Sequence, residues 1–215
     1  MANSPKSRGE RETALAEYVG TRVARLQDDY RRRDSEALAA MARLRRGVGG
    51  GPGADPALWE LTLAGLEEKI EGRHTMTRAE YDGAATVWER AAYDAITLHA
   101  HHQQSRSERM HRRGPSLGAA TAVLGDHTRS SEAVRARFHA LATAGDHAAR
   151  LIHLRGIIAQ LRSFDIPLDY ARLAVDLARL DDGTYADRVL LAWGRDYHRK
   201  SEATSDDATE SGDSQ

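Results

Sequence analysis

Between its five prolines (Pro5, Pro52, Pro56, Pro115 and Pro167) the chain repeats its apolar residues at steps of three and four, and no segment alternates as a strand does. That periodicity confines the fold to the all-α class. Residues 11–33 place Leu15, Tyr18, Val19, Leu26 and Tyr30 on one stripe. Asp34 or Ser35 can cap a second helix carrying Leu38, Met41 and Leu44, which Gly47 can end. The run GVGGGPGADP at 47–56 reads as a flexible loop. A third helix is predicted from Ala57 to Gly72, with Trp59, Leu63, Leu66 and Ile70 inward. Thr77 and Glu80 make a capping box for a long fourth helix running to about Gln104, with Tyr81, Trp88, Ala92 and Ile96 on its buried face.

The second half repeats the style in shorter pieces. Ser116 caps a helix through Leu124; Ser130 or Ser131 caps one with Val134, Phe138 and Leu141 inward. Asp146 caps one with Leu151, Leu154, Ile158 and Leu161, and Asp169 precedes one with Leu173, Leu177 and Leu180. A last helix carries Val189, Leu190, Trp193 and Tyr197. The expected organisation is two small helical bundles: a disordered N-terminus at 1–10, an N-terminal bundle at 11–104, a basic linker at 105–115, a C-terminal bundle at 116–198, and a disordered acidic tail at 199–215. The tail's Ser, Asp, Glu and Thr cannot bury enough apolar surface to order it.

The formal net charge of −1 hides an uneven distribution. Residues 201–215 hold five acids and no Lys or Arg, so the remainder has 31 basic and 27 acidic residues. Residues 55–94 carry nine acids against four bases, whereas 105–115 carry four arginines against Glu108. Of the 31 basic residues 28 are arginine, whose planar fork suits phosphate, although a GC-rich genome accounts for much of that bias. The absence of cysteine excludes disulfides and thiolate metal sites. With no apolar N-terminal region and no apolar run of span length, a cytoplasmic location is expected.

Catalytic and cofactor signals are weak. The glycine loop at 47–53 lacks the preceding strand and the Gly-Lys-Ser/Thr of a phosphate loop. Ser116 lacks a nucleophile elbow, and the neighbours Asp28–Asp29 and Asp181–Asp182 do not face each other on a helix. In LHAHHQQ, His99 and His102 share a helix face, but a zinc site needs at least a third ligand, and His101 points elsewhere. Positions at the surface or facing nucleic acid are expected for them. No metal, no cofactor and no catalytic residue is therefore assigned. Trp59, Trp88, Trp193 and Phe138 fall on apolar stripes and are expected in the core.

The arginines remain. Arg43, Arg45 and Arg46 end the second helix, where they also suit its negative C-terminus. Arg106, Arg109, Arg112 and Arg113 crowd the linker. Arg155 and Arg162 project from one face of their helix, at the rim of the Leu151–Ile158 stripe. Arg155 has no acid three or four residues away, whereas Arg162 has Asp165.

The runs LARLRRG…LWELTL, HQQSRSERMHRRGPSLG, SEAVRARFHALATAGD and LIHLRGIIAQLRSFDIPLDYARLAVDL resemble the CasB family, the small subunit of the type I-E CRISPR Cascade complex. The likeness covers most of residues 35–198. It implies a non-catalytic subunit of a crRNA-guided antiviral surveillance complex. The implied partners are the backbone and large subunits, a second copy of the chain, crRNA and single-stranded target DNA, with support of the R-loop. It carries nucleic-acid contact over to Arg45, Arg46, Arg112 and Arg155, and more loosely to Arg43, Arg106, Arg113 and Arg162. The family pattern also puts an arginine just after Ser-Leu-Gly, where this chain has Ala119 and Ala120. The alternatives left open are a helical scaffold touching proteins alone and a metalloenzyme using His99 and His102.

Overall fold

The computed structural model describes residues 6–70, 77–128 and 130–210, with side chains as far as residue 199. Among them are eleven α-helices: α1 (Arg8–Arg31), α2 (Ser35–Arg46), α3 (Trp59–Thr62), α4 (Leu66–Ile70), α5 (Arg78–Tyr81), α6 (Val87–His102), α7 (Leu117–His127), α8 (Ser131–Ala142), α9 (His147–Ser163), α10 (Tyr170–Asp182) and α11 (Ala186–Glu210). The described residues form no β-strand; one isolated parallel bridge joins His111 and Leu168. The fold is all-α. The acidic tail expected from residue 199 falls on the end of α11, where the backbone alone is described, and on residues 211–215, which lie outside the described residues.

Helix starts follow local side-chain chemistry. Asp34, Ser116, Ser130, Asp146 and Asp169 each accept a backbone N–H of the first turn they precede. Helix α1 begins at Arg8, earlier than its apolar stripe indicates, because Ser7 and Glu10 close a capping box.

Two predicted long helices are broken instead. The stretch from Ala57 becomes a 3₁₀ turn at Pro56–Leu58, then α3 and α4, with Gly65 at φ 78 between them. The break is held by α1: the Tyr18 hydroxyl lies 3.0 Å from the Thr62 and Ala64 carbonyls, and Arg22 donates to the Glu60 and Ala64 carbonyls at 2.9 Å. Carbonyls freed by stopping a helix are thus satisfied from a neighbour. Trp59 is 50% exposed, so it is not a core residue as expected. Gly72 lies outside the described residues. The predicted helix from Thr77 stops after one turn. Gly83 takes φ 104, which a side chain would resist. A second capping box, Thr86–Glu89, then starts α6. Tyr81 is accordingly exposed rather than buried.

Helix α6 is the axis. From Ala91 to Ala100 every residue is buried, because α1, α2, α3, α9 and α10 pack around it. Helices α1, α2 and α4 group with α6; α7, α8, α9 and α11 form a second group. Helix α10 lies against α1, α6 and α11, and the buried apolar residues form one cluster from Leu15 to Trp193. In the second group α7 and α11 approach so closely that a Cβ on Gly118 would fall 2.0 Å from the Trp193 carbonyl oxygen.

The basic segment between the groups is stitched in place. Gln27 accepts His111 N–H at 2.8 Å, Gln103 accepts Met110 N–H at 3.1 Å, and Met110 accepts Leu168 N–H at 3.0 Å. Met110 is completely buried.

Candidate nucleic-acid interface

The last turn of α6 sends its histidines two ways. His99 and His102 are fully buried against Tyr170 of α10. The Tyr170 ring centroid lies 5.1 Å from that of His99 and 5.9 Å from that of His102, and the Tyr170 hydroxyl is 3.0 Å from His102 Nδ1. His111 Nδ1 accepts the Tyr170 backbone N–H at 3.1 Å. Burial holds His99 well below its ordinary pKa and His102 at about 3, and it lowers His111 as well. These are neutral core imidazoles. The expectation that His99 and His102 face solvent or nucleic acid is therefore overturned. The three-residue step that put them on one face put them on the face that α10 covers. No group of three or more His, Asp or Glu among the described residues is arranged to hold a metal ion.

His101 is the histidine that reaches the surface, half-buried. Burial holds its pKa down at about 4, reinforced by the guanidiniums of Arg162, Arg155 and Arg45. That arrangement assembles residues from three helices. Helix α2 packs on α6 and brings Arg45; α9 packs on the same helix and brings Arg155 and Arg162. Arg162 Nη1 donates to the His101 carbonyl at 3.2 Å and to Gln104 Oε1 at 2.9 Å. Asp165 is not its partner, because Asp165 pairs with Arg106 at 3.4 Å. Arg106 adds its charge to the same zone, bearing on His102 together with Arg162.

Arg43 and Arg46 are exposed on the last turn of α2, and Arg155 is exposed on α9. Arg112 and Arg113 are exposed on the stitched segment, where Arg113 bears on His111. No contact brings these two into the group around His101. Among the described residues, no ion pair joins Arg43, Arg45, Arg46, Arg112, Arg113 or Arg155 to a carboxylate. Arg109 differs, pairing with Asp28 at 2.9 Å. The sequence reading turned His101 away from the His99–His102 face, by the offset of about 100° per residue, but gave it no place among the site residues.

A separate charged cluster lies at the other end of α9. His147 places Nε2 3.0 Å from Asp94 Oδ2 of α6 and Nδ1 3.0 Å from Asp181 Oδ2 of α10. Arg150 reaches Asp181 at 2.8 Å and Arg90 reaches it at 3.4 Å. The two carboxylates raise His147 to about 9. This cluster ties three helices together, with both carboxylates buried.

The family model of the CRISPR-associated protein Cse2 matches residues 40–198. Among solved structures, CasB from Thermobifida fusca is 36% identical, with 86% of this chain and 98% of that chain covered at a TM-score of 0.74. A Cse2-family CRISPR-associated protein from Thermus thermophilus is 26% identical over 85% of this chain and 97% of that one, at a TM-score of 0.61. A chain of a CRISPR RNA-guided surveillance complex is 27% identical over 90% of this chain and 99% of its own, also at 0.61. A comparison with curated protein sequences gives no match.

Proposed function

The chain belongs to the Cse2 family, and on that footing we propose that it is the non-catalytic small subunit of a type I-E, crRNA-guided surveillance complex, working in the cytoplasm in antiviral defence. In this reading it contacts nucleic-acid backbone and stabilises the R-loop, beside the backbone and large subunits and a second copy of itself. Arg45, Arg46, Arg112 and Arg155 are its principal contacts, with Arg43, Arg106, Arg113 and Arg162 supporting them. Guide pairing supplies sequence choice, and this subunit reads phosphate alone.

The observation that carries the reading is the face formed by α2, α6 and α9, where Arg45 and Arg155 meet no carboxylate and Arg162 bonds a carbonyl and an amide oxygen instead. Guanidiniums in a folded protein usually find acids; a face that gathers several without one suits an external polyanion. Filter binding of single-stranded DNA over a salt series tests it. The log–log slope should be clearly negative and shallower when arginines of this face are replaced. A flat slope favours the scaffold alternative. A specific feature supports protein contact as well. A groove of about 700 Å³ runs between α3, α4, α5 and the start of α6, flanked by the exposed Trp59 and Tyr81. Co-purification with the other complex subunits, intact and with Trp59→Ala, separates the two kinds of contact.

A further inference from the structure

Within the arginine face, four side chains stand apart. Arg45 Nη1 and His101 Nε2 are shielded from solvent and meet no hydrogen-bond partner supplied by the protein. Burying a polar nitrogen without a hydrogen-bond partner is unfavourable. Arg162 is fixed beside them by its bonds to the His101 carbonyl and Gln104. Arg155 completes the group from the exposed side of α9. We propose that Arg45, His101, Arg155 and Arg162 form one phosphodiester subsite, and that His101 takes up a proton when a phosphate enters it. This rests on the nucleic-acid reading above and adds a residue and a regulation to it.

The charges around His101 set the sign. Helix α2 contributes Arg45 and α9 contributes Arg155 and Arg162; on α6 itself the neighbour is the neutral His102. No carboxylate of α1, α3 or α10 bears on His101, so nothing in the free protein offsets three guanidiniums. Its imidazole is therefore neutral at every physiological pH, titrating only at about 4. A phosphate lodged among those guanidiniums supplies the missing negative charge. The imidazole then returns toward its ordinary range, and the proton it gains comes from solvent. Linkage turns this into an affinity: if bound His101 titrates near 6.5, single-stranded DNA binds about tenfold tighter at about pH 5.5 than at about pH 7.5.

The full chain with a single-stranded oligothymidylate tests this at both pH values. The wild type should gain about tenfold on acidification, and His101→Gln and His101→Asn should lose most of that gain. The exposed His127 and His198 are present in both proteins, so the difference between them isolates His101. Calorimetry of the wild type in two buffers of different ionisation enthalpy should show uptake of about one proton per site near pH 5.5. That measurement needs no variant to fold. Equal pH dependence in wild type and variants, or no proton uptake, overturns the role of His101 while leaving the nucleic-acid reading intact. Absence of DNA binding at both pH values overturns both.

Discussion

Arg150 and Arg155 lie five residues apart on α9 and have opposite fates. Arg150 is turned inward to Asp181 at 2.8 Å, inside the cluster that ties α6, α9 and α10 together. Arg155 is exposed and meets no carboxylate. The same division runs through the molecule. Around α1, α10 and α11 several arginines are paired: Arg179 with Glu12 at 2.7 Å, Arg8 with both Glu12 and Asp182, and Arg172 with Asp196 at 2.8 Å. Arg43, Arg45 and Arg46 of α2 are not. An arginine's role here is decided by whether another helix delivers an acid to it. The paired set holds the fold; the unpaired set is the one the proposed nucleic-acid contact draws on.

The largest effect should come from breaking the paired side. Asp181 receives His147, Arg150 and Arg90 while only 6% of its side chain is exposed. Replacing it with Ala leaves three cations without their shared acid and should cost about 3 kcal/mol. In a chain of this size that corresponds to a fall of roughly 10 °C in the thermal midpoint. Single-stranded DNA binding by the folded fraction should be unchanged. Thermal unfolding and filter binding of the same variant would show whether the two arginine sets are as separate as the geometry makes them.

Next in size is the pH dependence of stability. His147 titrates at about 9 in the fold, above its ordinary value, so its contribution is full below pH 6.5 and is lost as pH rises through 9. His102 runs the other way: its folded value is about 3, so its contribution is full above pH 6.5 and is lost as pH falls toward 3. The thermal midpoint should peak near pH 6.5. His147→Gln should flatten the alkaline side and leave the acid side intact. An unchanged alkaline limb would show that His147 is not charged in the fold.

These two histidines also mark what could be read from the sequence. Caps were legible because the cap and the backbone N–H it accepts lie within four residues, as at Asp146 and Asp169. Ser7–Glu10 and Thr86–Glu89 carry the same Thr/Ser-x-x-Glu signal, and the unbroken apolar stripe masked the second of them. The breaks at Gly65 and Gly83 were not legible, since Tyr18 and Arg22 hold the first from another helix. Spacing showed that His99 and His102 share a face; that Tyr170 would cover it depends on α10, 68 residues on from His102. Pairing was hidden for the same reason. The acids near Arg155 could be checked at three and four residues, but Glu12 and Arg179 are 167 residues apart.

On the unpaired side, Arg155→Ala should shift folding stability by only about 0.5 kcal/mol, because no core volume and no ion pair is lost. It should weaken DNA binding for all sequences alike and reduce the salt slope by about 0.7. Adding Arg45→Ala should change binding by less than the sum of the two single effects, since both guanidiniums bear on the same His101 and serve one phosphate. A large loss of stability in Arg155→Ala would move this residue to the paired set.

The smallest effect should be that of Arg155→Lys, and it sharpens the comparison most. On the paired side geometry matters: Arg179 spans Glu12 with Nε at 3.0 Å and Nη2 at 2.7 Å, a two-pronged contact that an ammonium cannot reproduce. Arg179→Lys should therefore destabilise measurably even though the charge is kept. Arg155 has no such partner in the fold, and a flexible DNA backbone offers it phosphate from many directions. A point charge then serves nearly as well as a fork. Arg155→Lys should leave the salt slope unchanged and reduce affinity by no more than about threefold, less than one good hydrogen bond. If the lysine variant instead binds as poorly as the alanine one, the contact at Arg155 is bidentate, and the unpaired face holds its phosphate in a fixed geometry rather than by charge alone.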